Sequence, residues 1–170
     1  MTDLTAALIA SLAARGLTVA VAESLTAGAV TAELTRPPGA SAVVLGGVVV
    51  YATELKHSML GVDRTLLESC GPVHPEVARQ LADGVRERIR VAGRGADFGV
   101  ATTGVAGPAS QGGQAPGTVY LGIAGEHGTR VVALHLGGSR DEIRAETVRR
   151  AVAELAAEAG AAPGGEAARG

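Results

Sequence analysis

A chain of 170 residues, 46% of them hydrophobic, can fill one core and leaves little for a second domain. Its net charge of −2, the lack of a long basic run and an aromatic content of 2% exclude two features of nucleic-acid binders: a phosphate-neutralising surface and base-stacking platforms. Cys70 is the only cysteine, which excludes an intramolecular disulfide and a cysteine-based zinc site.

The opening "MTDLTAALIASLAARG" lacks the basic start of a signal peptide, and no apolar run reaches bilayer-spanning length. A cytoplasmic protein without a membrane partner is expected. In that opening, Leu4, Leu8, Ile9 and Leu12 recur at helical spacing and Gly16 stops the run, so a helix over about 3–15 is expected. "LTVAVA" reads as a buried strand. "LTAGAVTAELTR", following Ser24, reads as a helix that "PPGAS" breaks. "AVVLGGVVVY" is the most β-branched run and predicts a central strand, with Gly46–Gly47 marking a bulge or a close backbone approach. "ATELKHSML" predicts a short helix. Pro75 is well placed to open a long one, "PEVARQLADGVRERIRVAG".

"DFGVATTGVAGP" predicts a strand running into a glycine-rich loop that continues through "ASQGGQAPG". "TVYLGIAG" and "TRVVALHLG" predict a hairpin. "SRDE" has the capping-box pattern, with Ser139 as cap and Glu142 reaching back, and opens the last helix. One domain over 1–159 is expected, followed by a disordered tail over 160–170. Helices alternating with buried strands, then a late hairpin, imply an α/β fold with a mixed, mostly parallel sheet covered on both faces. Ligands in such sheets bind beyond the carboxyl ends of the strands.

No phosphate-binding G-x-x-x-x-G-K-[ST] loop, G-x-G-x-x-G after a strand, H-E-x-x-H or G-x-S-x-G motif is present. The four histidines are scattered without ligand spacing, so no metal and no cofactor are expected.

Three strand ends carry unusual chemistry, at Glu23–Ser24, Tyr51–Lys56 and Thr102–Gly107, and these loops are expected to meet. Ser24 follows a strand and precedes a helix. It reads as a helix cap, or as a nucleophile beside the free amides of a helix start. Lys56 reads as a solvated helix lysine, or as a base whose pKa is lowered by burial. Tyr51 reads as a strand-end aromatic, or as a proton relay between Ser24 and Lys56. "TTGVAGPASQGG" reads as a mobile loop, or as a nest of N–H groups for an anion or an amide. Arg140 and Arg144, one turn apart, read as surface arginines or as a phosphate clamp.

"AESLTAG", "GGVVVYATELKHSMLGV", "GPVHPEVARQLADG", "TTGVAGP", "PGTVYLGIA" and "SRDEIR" occur in the order that resembles the CinA C-terminal domain family, across about 5–157. The resemblance implies a three-layer α/β/α sandwich and a nicotinamide-nucleotide amidohydrolase. Such an enzyme turns nicotinamide mononucleotide into nicotinate mononucleotide and ammonia, in pyridine-nucleotide recycling. It implies Ser24 as nucleophile with Tyr51 and Lys56 assisting. Amides near Ser24 and Thr26 are expected to steady the oxyanion. Glu23 is expected to orient Lys56, bind ribose or serve structure. Gly28, Gly46 and Gly47 are expected to line the substrate site. Thr103, Gly104, Ala106 and Gly107 are expected to hold the 5′-phosphate, with Arg140 and Arg144 as alternatives. Leu25 and Ala27 depart from the family's A-E-S-C-T-G-G, and His74 replaces a common Ser at a helix cap. An extra methyl at Ala27 is expected to narrow substrate access if it faces the site.

Longer relatives carry an N-terminal molybdopterin-binding-like domain, and this sequence reads as the stand-alone form. A homo-oligomer, a dimer by preference, is expected, with a small pyridine nucleotide as partner. The alternative reading is a non-catalytic nucleotide-binding accessory module of the competence/damage-inducible kind.

Overall fold

The computed structural model describes residues 3–161. Five strands are present: β1 Val19–Glu23, β2 Val44–Val49, β3 Phe98–Gly104, β4 Thr118–Gly125 and β5 Gly128–His135. Six α-helices surround them: α1 Leu4–Arg15, α2 Ala29–Thr35, α3 Thr53–Leu60, α4 Arg64–Cys70, α5 Pro75–Arg88 and α6 Arg140–Glu158.

Local chemistry sets the helix ends. Asp3 accepts the Ala6 N–H to open α1, and Gly16, at φ 64°, closes it. His74 caps α5 after all: its Nδ1 accepts the Glu76 N–H at 3.2 Å, and Pro75 fills the first helical position. The expected capping box of Ser139 and Glu142 opens α6. At the far end of α6, Ala161 N–H reaches the Ala156 carbonyl, Gly160 N–H reaches the Ala157 carbonyl, and Gly160 sits at φ 64°. That is a glycine-dependent helix stop. Gly160 and Ala161 belong to the expected tail, and the rest of it, 162–170, lies outside the described residues.

The sheet order is β2-β1-β3-β4-β5. β1 pairs in parallel with β2 and β3, while β3–β4 and β4–β5 are antiparallel. Only β4 opposes the common direction, so the sheet is mixed. The chain leaves β1 for one neighbour and returns to the other. That reversal opens a crevice at the carboxyl ends of β1 and β3.

The two faces of the sheet differ in side-chain size. Val19, Val21, Val100, Leu121 and Ile123 join α1, α2 and α6 in one core. Ala20, Ala22, Ala101 and Ala124 join α3, α4 and α5 in the other. On that small-residue face a Cβ at Gly122 would stand 2.2 Å from the Ala78 carbonyl oxygen, so glycine lets α5 lie directly on the sheet.

Three expectations need correction. The β-branched run at β2 is an edge strand, not a central one. Its side chains alternate between partly covered and exposed, because only β1 flanks it. The helix expected from Leu25 begins only at Ala29, because Ala27 and Gly28 adopt left-handed backbone (φ 51° and 99°). α5 stops at Arg88 and not near Gly93, since Ile89 is extended. The short helix α4, capped by the Asp63 carboxylate, was not anticipated. The register shift beside Val19–Ala20 supplies the bulge that Gly46–Gly47 foretold.

Candidate active site

A cleft of about 180 Å³ opens at the crevice. Ser24 and Leu25 come from the end of β1, Tyr51 and Lys56 from β2 and α3, and the loop Thr103–Gly107 from β3. Pro72, Val73, Gln111 and Arg140 complete it. The three loops expected to meet do meet. The volume is below the roughly 300–1,000 Å³ of drug-sized sites and is enough for a ring-sized group.

Ser24 is not a helix cap. The first residues of α2 are capped instead by Glu23, which is fully buried. One Glu23 oxygen accepts the Gly28 and Val30 N–H groups at 2.9 and 3.0 Å. The other accepts Thr31 N–H at 2.9 Å and Thr31 Oγ1 at 2.7 Å. A carboxylate at a helix start also matches the helix dipole. Glu23 is therefore structural here; it neither orients Lys56 nor faces the cleft. Gly28 gives its N–H to Glu23. Gly47 exists to admit Thr31, whose Oγ1 would lie 2.0 Å from an added Cβ, and Gly46 faces Ile89. None of the three glycines borders the cleft.

Freed from capping, the Ser24 hydroxyl takes a hydrogen bond from Lys56 Nζ at 3.3 Å. Lys56 is almost wholly buried, at 1% exposure. Its Nζ also donates to the Val50 carbonyl at 2.6 Å and the Tyr51 carbonyl at 3.3 Å. Among the described residues it has no carboxylate partner. Burial alone pulls its pKa from the ordinary 10.5 down to about 8. Two carbonyls can take only N–H donors, which matches the two hydrogens of a neutral amine. The third direction faces a hydroxyl, which can donate to the amine's lone pair or accept from the ammonium.

Tyr51 contributes its backbone carbonyl to Lys56, not its hydroxyl. The ring is 58% exposed and its hydroxyl accepts from Arg140 at 3.3 Å, so it bridges neither Ser24 nor Lys56. Arg140 also donates to the Gly107 carbonyl at 2.7 Å. Among the described residues it is the one cationic side chain at the cleft besides Lys56. Thr103 lines the cleft, but its hydroxyl is spent on the Pro72 carbonyl at 2.6 Å. Gly104, Ala106 and Gly107 line it beside Thr103. Thr26 is fully buried, with Oγ1 at 2.8 Å from Thr102 Oγ1. Arg144 turns to the backbone carbonyls of Leu25 and Thr26 and takes no place in the cleft. Leu25 is buried against the cleft, whereas Ala27 is exposed and lines no part of it, so its methyl does not narrow access.

Sequence reasoning places Thr102 at the start of the third loop but gives it no role; its Oγ1 accepts the Ser24 N–H at 3.4 Å. That reasoning missed the second cleft wall at Pro72–Val73. One signal sets Lys56 apart in the sequence: it is the sole lysine, every other side chain with a fixed positive charge being arginine.

The family model of the CinA C-terminal domain matches residues 1–159. The chain belongs to that family. It is 48% identical to the CinA-like protein of Frankia casuarinae over 134 residues, which cover 79% of this chain and 30% of the relative. The chain thus spans about a third of the length of the curated relatives it matches. Among solved structures, the competence/damage inducible protein CihA of Agrobacterium tumefaciens superposes with a TM-score of 0.84 at 37% identity, covering 91% of this chain and 92% of that one. A CinA superfamily protein of Enterobacter cloacae gives 0.86 at 26% identity, covering 92% and 90%. Against the CinA motif pattern the departure with a backbone consequence is Ala27, which holds a left-handed φ of 51° where the family has glycine. Among the described residues no group of metal-ligating side chains could hold an ion, and no helix is long and apolar enough to cross a membrane.

Proposed function

We propose that this CinA domain hydrolyses the carboxamide of nicotinamide mononucleotide, using Ser24 as nucleophile and Lys56 as base. One observation carries the reading. A buried lysine without a counter-ion, its pKa near 8, stands 3.3 Å from a serine hydroxyl at the sheet's crevice. A structural lysine needs neither the burial nor the serine.

Neutral Lys56 takes the Ser24 proton as Oγ bonds to the carboxamide carbon and the C=O pair moves onto oxygen. The N–H of Leu25, which lines the cleft, has no acceptor among the described residues and is the candidate to receive that oxyanion. Lys56, now an ammonium, returns the proton to the amide nitrogen as the C–N bond breaks and ammonia leaves. Water, deprotonated by the same amine, then cleaves the acyl–serine ester to nicotinate mononucleotide. The phosphate lies at the cleft mouth against Arg140, with the amides of the Thr103–Gly107 loop beside it. Tyr51 walls the mouth and positions Arg140 through its hydroxyl.

The test is ammonia release from nicotinamide mononucleotide by the wild type and by Ser24→Ala. Release that survives the substitution rules out this mechanism. Nucleotide binding without any release favours a non-catalytic accessory module.

A further inference from the structure

The turn that carries Ser24 is clamped on both flanks. From α6, Arg144 Nε donates to the Leu25 carbonyl at 3.0 Å and a terminal nitrogen donates to the Thr26 carbonyl at 3.3 Å. On the other flank, buried Thr102 Oγ1 accepts Ser24 N–H and meets Thr26 Oγ1. Within the turn, Ala27 N–H donates to the Ser24 carbonyl at 3.1 Å. Every carbonyl from Ser24 to Thr26 therefore has a donor. In a trans peptide the N–H points opposite to the C=O of the same unit. Fixing the Ser24 carbonyl fixes Leu25 N–H, and fixing the Leu25 carbonyl fixes Thr26 N–H. Neither N–H has an acceptor among the described residues; Leu25 lines the cleft, whereas Thr26 is wholly covered and lines no part of it, so the Leu25 N–H is the one a ligand atom can reach. Buried backbone N–H groups are rarely left unpaired, so a free one beside a nucleophile points to a ligand atom that completes it.

We infer that Arg144 is a positioning residue. By gripping the Leu25 and Thr26 carbonyls it holds the turn so that the Leu25 N–H receives the oxygen that becomes negative when Ser24 adds to a carbonyl. In that step the Oγ–C bond forms, the C=O pair moves to oxygen, and the Ser24 proton passes to Lys56 Nζ. The guanidinium is matched to two carbonyls of one turn, which a lysine cannot span with a planar fork. Its only carboxylate neighbour among the described residues, Asp141, is at 3.8 Å and almost fully exposed, so the carbonyls are its principal partners. The inference rests on Ser24 acting as nucleophile, and Ser24→Ala tests that separately.

The experiment compares wild type, Arg144→Lys and Arg144→Ala on nicotinamide mononucleotide and on nicotinamide riboside, which lacks the phosphate. It also follows the rate at which a fluorophosphonate labels Ser24, read by intact mass. A positioning role lowers kcat by about 10- to 100-fold, short of the 10²–10³ of deleting an oxyanion donor outright. KM stays within about twofold, the loss is equal for both substrates, Arg144→Lys recovers part of it, and Ser24 labelling slows in step. A raised KM with unchanged kcat, confined to the phosphorylated substrate, makes Arg144 a phosphate clamp and overturns the inference.

If circular dichroism shows the Arg144 variants unfolded, Thr102→Val loosens the same turn from its other flank, and unchanged kcat there overturns it. An active wild type, an inactive Ser24→Ala and a retained kcat in the Arg144 variants sink this inference alone. If wild type releases no ammonia, the labelling rates decide. A wild-type Ser24 that is not labelled either overturns both readings.

Discussion

Glu23 and Lys56 are the two charged side chains sealed from water in the described residues, and the fold treats them oppositely. Glu23 receives four donors from the start of α2 and makes its charge part of the structure. Lys56 meets two carbonyls and one hydroxyl and, among the described residues, has no carboxylate partner. A buried carboxylate whose oxygens are fully hydrogen-bonded holds a turn in place. A buried charge left short of a counter-ion becomes a group that exchanges protons near neutrality. The two lie on either side of Ser24, one fixing the turn behind it and the other facing its hydroxyl.

The sharpest way to separate these roles is Lys56→Met. Amide hydrolysis is expected to fall by about 10²–10⁴-fold. In wild type, kcat/KM is expected to rise with pH through about 8 as the lysine loses its proton. Stability should follow the same group with a defined sign. The folded protein holds Lys56 at a pKa of about 8 against 10.5 when unfolded, so between these values the unfolded chain binds more protons. Wild-type stability relative to Lys56→Met is therefore expected to increase as pH rises from 8 to 10.5, measured by urea denaturation of both proteins. A flat difference would mean that the lysine is not desolvated.

Glu23→Gln should show the converse. The amide presents N–H where donors already converge, and stability is expected to fall by about 2–3 kcal/mol. Activity per folded molecule at low temperature should fall far less than in Lys56→Met. Equal losses of activity would place Glu23 in the chemistry after all. The smallest effect is at Ala27. Replacing it by glycine relieves a left-handed φ, and a gain of about 0.5–1 kcal/mol is expected in the same denaturation assay.

Much of this was legible in the sequence, and the exceptions have physical causes. Helix starts at Pro75 and Ser139 and the Gly125–Gly128 hairpin follow from local rules, and the structure repeats them. Ser24 and Lys56 were placed by their positions at strand ends, and the crevice brings them together. The role of Glu23 was not legible, because a carboxylate that caps a helix five to eight residues ahead leaves no short-range pattern. β2 was misplaced because composition reports partial burial but not which strands flank it. Tyr51 was assigned by its hydroxyl, whereas its carbonyl touches Lys56, and no sequence pattern distinguishes a backbone contact from a side-chain one.

The single lysine also offers a chemical handle. All the protein's other fixed positive side-chain charge is guanidinium, so its only side-chain amine lies at the bottom of the cleft. A reagent selective for amines therefore has one side chain to find, and only when the cleft is open and the amine neutral. The rate of that one modification, followed against ligand concentration and pH, reads occupancy and protonation of the site directly, with no engineered probe.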